Sequence, residues 1–185
     1  MGNCLVVRKG GGGDYSATLG GSDAYYIANN DNEVMYIVAH FGEAIKYNDT
    51  QYYYDGVIST TAVAGIQLRY YSLELSKNDY VGISVNSSYG SFGFVGNKDN
   101  IHFKTIVGTS LEQTVMNDRT LFIVGSANHS VSINGTAQSS IAIGTQYSYL
   151  QLRVYKLVLK KGDVLKASVS SGYGLAILYD GSETI

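Results

Sequence analysis

Tyrosine is the residue type best placed to do chemistry in this chain, and that chemistry is recognition. Seventeen of the 185 residues are Tyr, and Tyr52-Tyr53-Tyr54 are consecutive in a polar frame. Tyr89 and Tyr173 sit in two matching turn sequences, Ser87-Ser88-Tyr89-Gly90 and Ser171-Gly172-Tyr173-Gly174. An exposed Tyr offers flat contact area of low conformational entropy with a hydrogen-bonding end, which suits a sugar face or a protein partner. At least one ring of three consecutive tyrosines must face away from the core side of a strand. Tyr52, Tyr53 and Tyr54, with Tyr89 and Tyr173 behind them, are therefore the candidate contact residues. The competing structural reading is that these rings pack on their own hairpins or fill a seam between subunits.

The remaining reactive types are scattered. Gly10 to Gly13 would suit a phosphate loop only with a helix and a Lys-Ser/Thr after it, and Asp14-Tyr15 follows instead. His40, His102 and His129 have no second ligand at metal-binding spacing. Asn29, Asp31 and Glu33 alternate like oxygen ligands but lack the Gly turn and bidentate Glu of a calcium loop, so a solvated turn is expected. One cysteine, Cys4, excludes an intrachain disulfide and a cysteine zinc site. No nucleophile elbow, His-Glu-x-x-His or paired carboxylate asks for an enzyme. No catalytic residue, metal or cofactor is assigned, and a non-enzymatic role is expected.

The elements that must position these residues are written twice. Residues 67–95 and 151–179 align without a gap at an offset of 84, with 13 identities in 29 positions. Gln67-Leu68-Arg69 recurs as Gln151-Leu152-Arg153, and Tyr71, Leu73 and Leu75 as Tyr155, Leu157 and Leu159. Lys77 and Asp79 recur as Lys161 and Asp163. The shared positions are strand and turn residues, so the repeated unit is a scaffold. The tyrosine triplet has no counterpart, because the matching region, Gly135 to Ser140, is small and polar. Such asymmetry is expected where one copy of a scaffold has been recruited for contact.

Val34, Tyr36 and Val38 alternate with Met35 and Ile37, so both faces of this strand are apolar and it should be central and buried. Leu121 to Val124 is its counterpart, two residues out of the 84 register. In both copies apolar parity switches, from Ile66 and Leu68 to Tyr71, Leu73 and Leu75, and from Leu150, Leu152 and Val154 to Tyr155, Leu157 and Leu159. A parity switch predicts a bulge or a corner where a strand changes sheet. Lys77-Asn78-Asp79 and Lys161-Gly162-Asp163 supply the positive-φ residue of tight hairpins. Leu111 to Arg119 leaves room for a couple of helical turns at most. Short strands with Gly, Asn and Ser turns predict an all-β, sandwich or jelly-roll-like fold in two pseudo-equivalent halves. The expected division is an attachment strand and Gly-rich linker over 1–23, one β repeat over 24–104 and a second over 105–185.

Charged residues make up 15% of the chain and the formal net charge is −2, so no nucleic-acid footprint is expected. No apolar run reaches the roughly 18 residues of a membrane span, and Leu5-Val6-Val7 is too short for a signal h-region. The expectation is no membrane insertion. Asn48, Asn86, Asn128 and Asn134 open Asn-x-Ser/Thr sequons, read as coincidental in a Ser/Thr/Asn-rich chain.

Met1-Gly2-Asn3-Cys4-Leu5-Val6-Val7-Arg8-Lys9 followed by Gly10 to Gly13 resembles the opening of tailed-bacteriophage virion proteins of the tail-fibre, baseplate or decoration type. Leu157-x-Leu159-Lys160-Lys161-Gly162-Asp163-x-Leu165 is similar to the last strands of jelly-roll head domains in such proteins. The resemblance implies a structural or adhesion component of a virion, assembled in the host cytoplasm, among other virion proteins and as a homo-oligomer. Leu5, Val6 and Val7 would form an attachment strand adding to a neighbouring sheet edge, and a host-surface glycan could be bound. The alternative is a carbohydrate-binding β-sandwich module of a cellular protein.

Overall fold

A computed structural model describes residues 24–40, 44–59, 67–84, 90–126, 129–143 and 152–181. Leu5, Val6, Val7 and Tyr89 lie outside the described residues, as does the glycine run. Every regular element described is a strand. The first half comprises β1 (Ala24–Ile27), β2 (Glu33–His40), β3 (Ala44–Tyr47), β4 (Thr50–Tyr52), β5 (Gly56–Val57), β6 (Leu68–Leu75), β7 (Tyr80–Ser84) and β8 (Ser91–Asn97). The second comprises β9 (Ile101–Val107), β10 (Ser110–Thr114), β11 (Arg119–Ser126), β12 (His129–Ile133), β13 (Thr136–Ala137), β14 (Ile141–Ile143), β15 (Leu152–Leu159), β16 (Val164–Val169) and β17 (Gly174–Asp180). Leu111 to Arg119, left open for helical turns, is strand β10 and the approach to β11.

The sheets run β1-β7-β3-β4 and β5-β6-β2-β8 in the first half. In the second they run β10-β16-β12-β13 and β14-β15-β11-β17-β9. The halves thus share one strand order, with β9 added at an edge in the second. Leaving out β14, the second half has the sheet order of an eight-stranded jelly roll. Strand β9 runs through position 104 and pairs with β17 over Ile101 to Val107. The two-residue register shift is visible in the pairing: Met35 faces Leu73, and Leu121 faces Leu157.

Four sheets stack as four layers. Met35, Ile37, Tyr71 and Leu73 of β2 and β6 pack on Ile45, Val81 and Ile83 of β3 and β7. Leu121, Ile123, Tyr155 and Leu157 pack in the same way on Val131, Leu165 and Ala167. Between these lies a third core, where Val34, Val38, Leu68, Phe92 and Phe94 meet Phe122, Val124, Leu152, Val154 and Leu178 across the halves. The Phe122 ring centroid lies 5.4 Å from Phe92 and 5.5 Å from Phe94. Phe103 of β9 reaches over to Tyr36 at 4.9 Å and Tyr70 at 4.8 Å. Strand β2 is central and buried on both faces, as its alternation predicts.

The parity switch has a different cause from the one expected. Strand β6 pairs with β2 one-to-one from Leu68 to Leu75, and β15 with β11 from Leu152 to Leu159, with neither bulge nor corner. The even face is buried at the start of each strand, where Leu68, Leu152 and Val154 meet the opposite half. Farther along, Glu74, Lys156 and Val158 are exposed. The odd face is buried throughout its second part. Two different cores, each covering part of one face, imitate a change of direction.

The chain changes sheet instead at the turns after β6 and β15, so these are not hairpins. Asn78 and Gly162 do take positive φ there, 72° and 91°. Asp79 accepts from the backbone N–H of Ser76 (2.8 Å) and from Asn48 Nδ2 (2.9 Å). Asn48 Oδ1 accepts from the Tyr80 N–H (2.8 Å). The second half repeats this clasp with Asp163, Lys160 N–H (2.8 Å), Asn134 Nδ2 (2.8 Å) and Val164 N–H (2.9 Å). Asp31 and Asp118 each accept from the next turn N–H, of Lys77 and Lys161, at 2.9 Å. Tight two-residue hairpins instead join β3 to β4 and β12 to β13, turned by Asn48-Asp49 and Asn134-Gly135, all with φ between 46° and 78°. Two of the sequon asparagines are therefore paired turn residues with occupied side chains.

Candidate functional site

The tyrosine triplet crosses from β4 to β5, and the structure gives its members separate jobs. Tyr52 packs against the first-half core, and its hydroxyl donates to the Ser72 carbonyl (2.9 Å). Burial first, then the neighbouring Asp55, raises its phenol pKa. Tyr54 lies under the Arg69 guanidinium, 3.9 Å from the ring centroid. At the matching positions Arg153 Nη1 lies 3.5 Å from Ser140 Oγ, so the arginine reaches the same loop in both halves. Tyr53 is the most exposed of the three, at 73% against 41% for Tyr54. Tyr173 is half-buried in the β16–β17 turn, held by its own N–H to Ser170 O (3.0 Å) and by Gly108 N–H to its carbonyl (2.8 Å). Glu33 is buried and accepts from Tyr26 and Asn30, while Asp31 faces Lys77, so the Asn29–Glu33 alternation converges on nothing.

Sequence reasoning passed over a second aromatic surface, on the outward face of β1-β7-β3-β4. Register places Tyr25, Gly82, Lys46 and Gln51 in one row across the four strands. Ile27 and Tyr80 face each other in the next row. Tyr25 is 63% and Ile27 50% exposed. The rings of Tyr25 and Tyr80 are 6.3 Å apart and inclined by 22°. Tyr80 lies across Gly82, where a Cβ would come within 3.0 Å of the ring. The glycine thus lets a tyrosine lie down on the sheet.

The same positions of the second half carry none of this. Glu112, Lys166, Ser132 and Ala137 form the corresponding row, and Glu112 and Lys166 are paired at 3.2 Å. Thr114 and Val164 replace Ile27 and Tyr80. Comparing the two halves position by position, instead of looking for consecutive tyrosines, would have exposed this contrast from sequence. Among the described residues no three His, Cys, Asp or Glu side chains gather as a metal site.

A shallow, open depression of about 370 Å³ lies in the second half, with His129, Ser130, Ser168, Val169 and Ser170 lining it among the described residues. His129 Nδ1 bonds the Ser126 carbonyl, and its ring sits edge-on to Tyr155 at 5.3 Å. Burial pushes the imidazole pKa down; the bond to Ser126 opposes this, and Arg153 adds a smaller lowering.

No protein-family model and no curated protein matches the chain. Among solved structures it is similar to PA5104, a conserved protein of unknown function from Pseudomonas aeruginosa PAO1, with 10% identity over 96% of this chain and 87% of that one, TM-score 0.49. It is also similar to HutD from Pseudomonas fluorescens SBW25, with 12% identity over 95% and 86%, TM-score 0.44. Both are named as Pseudomonas proteins and neither name is that of a bacteriophage protein; the bacteriophage resemblance and the virion role drawn from it are corrected accordingly. The physical reason is visible in the fold. Leu157 to Leu165 is the sheet-changing clasp, and Leu73 to Val81 builds the same clasp in the first half. The pattern is accounted for by this turn, which both halves build.

Proposed function

We propose that this chain is a non-enzymatic carbohydrate-binding β-sandwich protein whose platform is the outward face of β1-β7-β3-β4. The observation that carries the reading is the near-parallel pair of Tyr25 and Tyr80 rings, with Tyr80 lying over Gly82, replaced in the other half by an ion pair. Sugar rings present apolar C–H faces that lie on flat aromatic surface, and their hydroxyls need polar partners at the edge. Lys46 and Gln51, in the same row, supply a donor and a donor–acceptor. A single platform of this size binds weakly, so a homo-oligomer presenting several copies is part of the proposal.

The test is a glycan array followed by calorimetry on the full chain. Saturable binding should weaken by roughly tenfold in Tyr25→Ala and in Tyr80→Ala, about 1.4 kcal/mol each, and survive Lys166→Ala on the other half. A folded chain that binds no glycan, or one whose affinity ignores both tyrosines, overturns the reading.

A further inference from the structure

Strand alternation decides which side chains share the platform with its two rings. Tyr26, Ile45, Tyr47, Val81 and Ile83 turn toward the first-half core. Tyr25, Lys46, Tyr80 and Gly82 alternate with them along β1, β3 and β7 and so face outward. Gln51 precedes the core-packed Tyr52 and faces the same way. Lys46 and Gln51 are both exposed.

The Tyr80 side chain joins two rows of this face. A Cβ on Gly82 would lie 3.0 Å from its ring and 3.0 Å from its hydroxyl oxygen. That hydroxyl therefore stands over Gly82, in the row that runs from Tyr25 to Lys46. Adjacent strands are about 4.8 Å apart, so the ammonium of Lys46 is based one strand spacing from it. Across the row come an aromatic face, a phenol O–H, an ammonium and an amide. The last three all have hydrogens to donate.

Lys46 is the only charged residue in these two rows, and neither row holds a carboxylate. The ion pairs among the described residues belong to Lys98, Lys160 and Lys166. Asp49, in the β3–β4 turn, makes none with Lys46. The second half treats the matching row differently. Glu112 stands where the platform has Tyr25, and it pairs with Lys166 of the neighbouring strand at 3.2 Å. There the protein supplies both charges, whereas on the platform it supplies the cation alone.

The missing partner is a single anionic group. Backbone N–H groups of these strands are spent on the sheet ladders, so no nest of free amides is offered to a phosphate. One ammonium balances one negative charge, and a phosphate monoester carries more than that. A carboxylate at the rim of a sugar ring matches in charge and reach.

We infer that the sugar bound here is acidic: a pyranose whose C–H face lies on Tyr25 and Tyr80 and whose carboxylate is held by Lys46, with the Tyr80 hydroxyl and the Gln51 amide donating to its other oxygens. This rests on the carbohydrate reading of the platform and adds the chemical class of the ligand.

Calorimetry on the full chain tests it with three oligosaccharides of one length and linkage: glucuronic acid, its methyl ester, and glucose. The acid should bind at least fivefold more tightly than either neutral form at low salt. That margin should shrink as NaCl rises to about 0.5 M, because exposed charges are screened. Lys46→Met should bring the acid down to the affinity of its methyl ester, Lys46→Arg should restore the margin, and Lys166→Ala should keep it. Equal binding of acid and ester by the parent chain, or a margin that survives Lys46→Met, overturns the inference while leaving the platform itself standing if Tyr25→Ala still weakens both sugars. A chain that binds none of the three, and nothing else on the array, overturns the platform and the inference together.

Discussion

Gly174, the first residue of β17, passes directly against the carbonyl of Ile58, just after β5. A Cβ placed on Gly174 would fall inside that carbonyl and within 3.0 Å of Ile106 O as well. The two halves thus touch backbone to backbone here, beside the shared core to which Ile58 belongs. Neither neighbour is a flexible side chain, so neither can swing aside.

Gly174→Ala should therefore destabilise the whole molecule by at least about 2 kcal/mol, the cost of forcing atoms into a packed interior. At this chain length that corresponds to roughly 5 °C or more in Tm. Calorimetry checks it, and an unchanged Tm would mean that the halves do not meet at this point.

The paired clasps set an acid limit. Asp79 is held below the usual carboxylate range by hydrogen bonds from Tyr47, Asn48 and the Ser76 N–H. Asp163 is lowered by the Lys160 N–H and Asn134, and Asp118 by Lys160 and the Lys161 N–H. A carboxylate whose folded pKa is depressed adds stability that is present above its unfolded value, about 3.9, and lost as pH falls through the folded one. Tm should drop steeply below about pH 4. Asp79→Asn with Asp163→Asn should be less stable at neutral pH and lose less on acidification. Parallel melting curves for parent and variant would contradict this.

His129 acts in a different window. Its pKa is lowered, so the unfolded chain takes up its proton first, near pH 6.5. Stability is then full above that pH and falls as pH drops toward the folded pKa. Denaturant melts at about pH 7.5 and 5.5 should differ more for the parent than for His129→Gln. Equal differences would show that the imidazole titrates normally in the fold.

Gly82→Val separates the platform from the scaffold. Position 82 is on a strand, and the nearest atoms a Cβ would meet belong to the Tyr80 ring, which can lift. Valine suits a strand better than glycine, so stability should hold or rise by a few tenths of a kcal/mol. The Tyr80 ring would no longer lie on the sheet beside Tyr25, and glycan affinity should fall roughly tenfold or more. Retained affinity would place the sugar elsewhere.

What was legible in the sequence is what repeats. The offset of 84 and the two-residue shift at Leu121 rest on strand pairing within one half, and the double apolar face of β2 shows in its own alternation whichever half covers it. The parity switch misled because Leu68 and Leu152 are buried by the opposite half, and pairing within a repeat gives no view of that. The turns at Asn78 and Gly162 misled in the same way: positive φ identifies a reversal, but not whether the next strand joins the same sheet. Tyr25 and Tyr80 are 55 positions apart in sequence and become neighbours only through the register of β1 on β7. Tyr52-Tyr53-Tyr54 drew notice because they are consecutive, yet adjacency along a strand sends rings to opposite sides.

Strand β9 shares its allegiance between the halves. Its backbone is zipped to β17 along seven residue pairs, while its Phe103 ring is lodged between Tyr36 and Tyr70. Neither half can be peeled away without either unzipping a ladder or emptying an aromatic socket. The molecule should melt as one cooperative unit, and a nick in the exposed Lys98–Asn100 turn should leave two fragments that stay together and refold as partners, not as independent domains. Each half alone is a sandwich with one apolar face left bare.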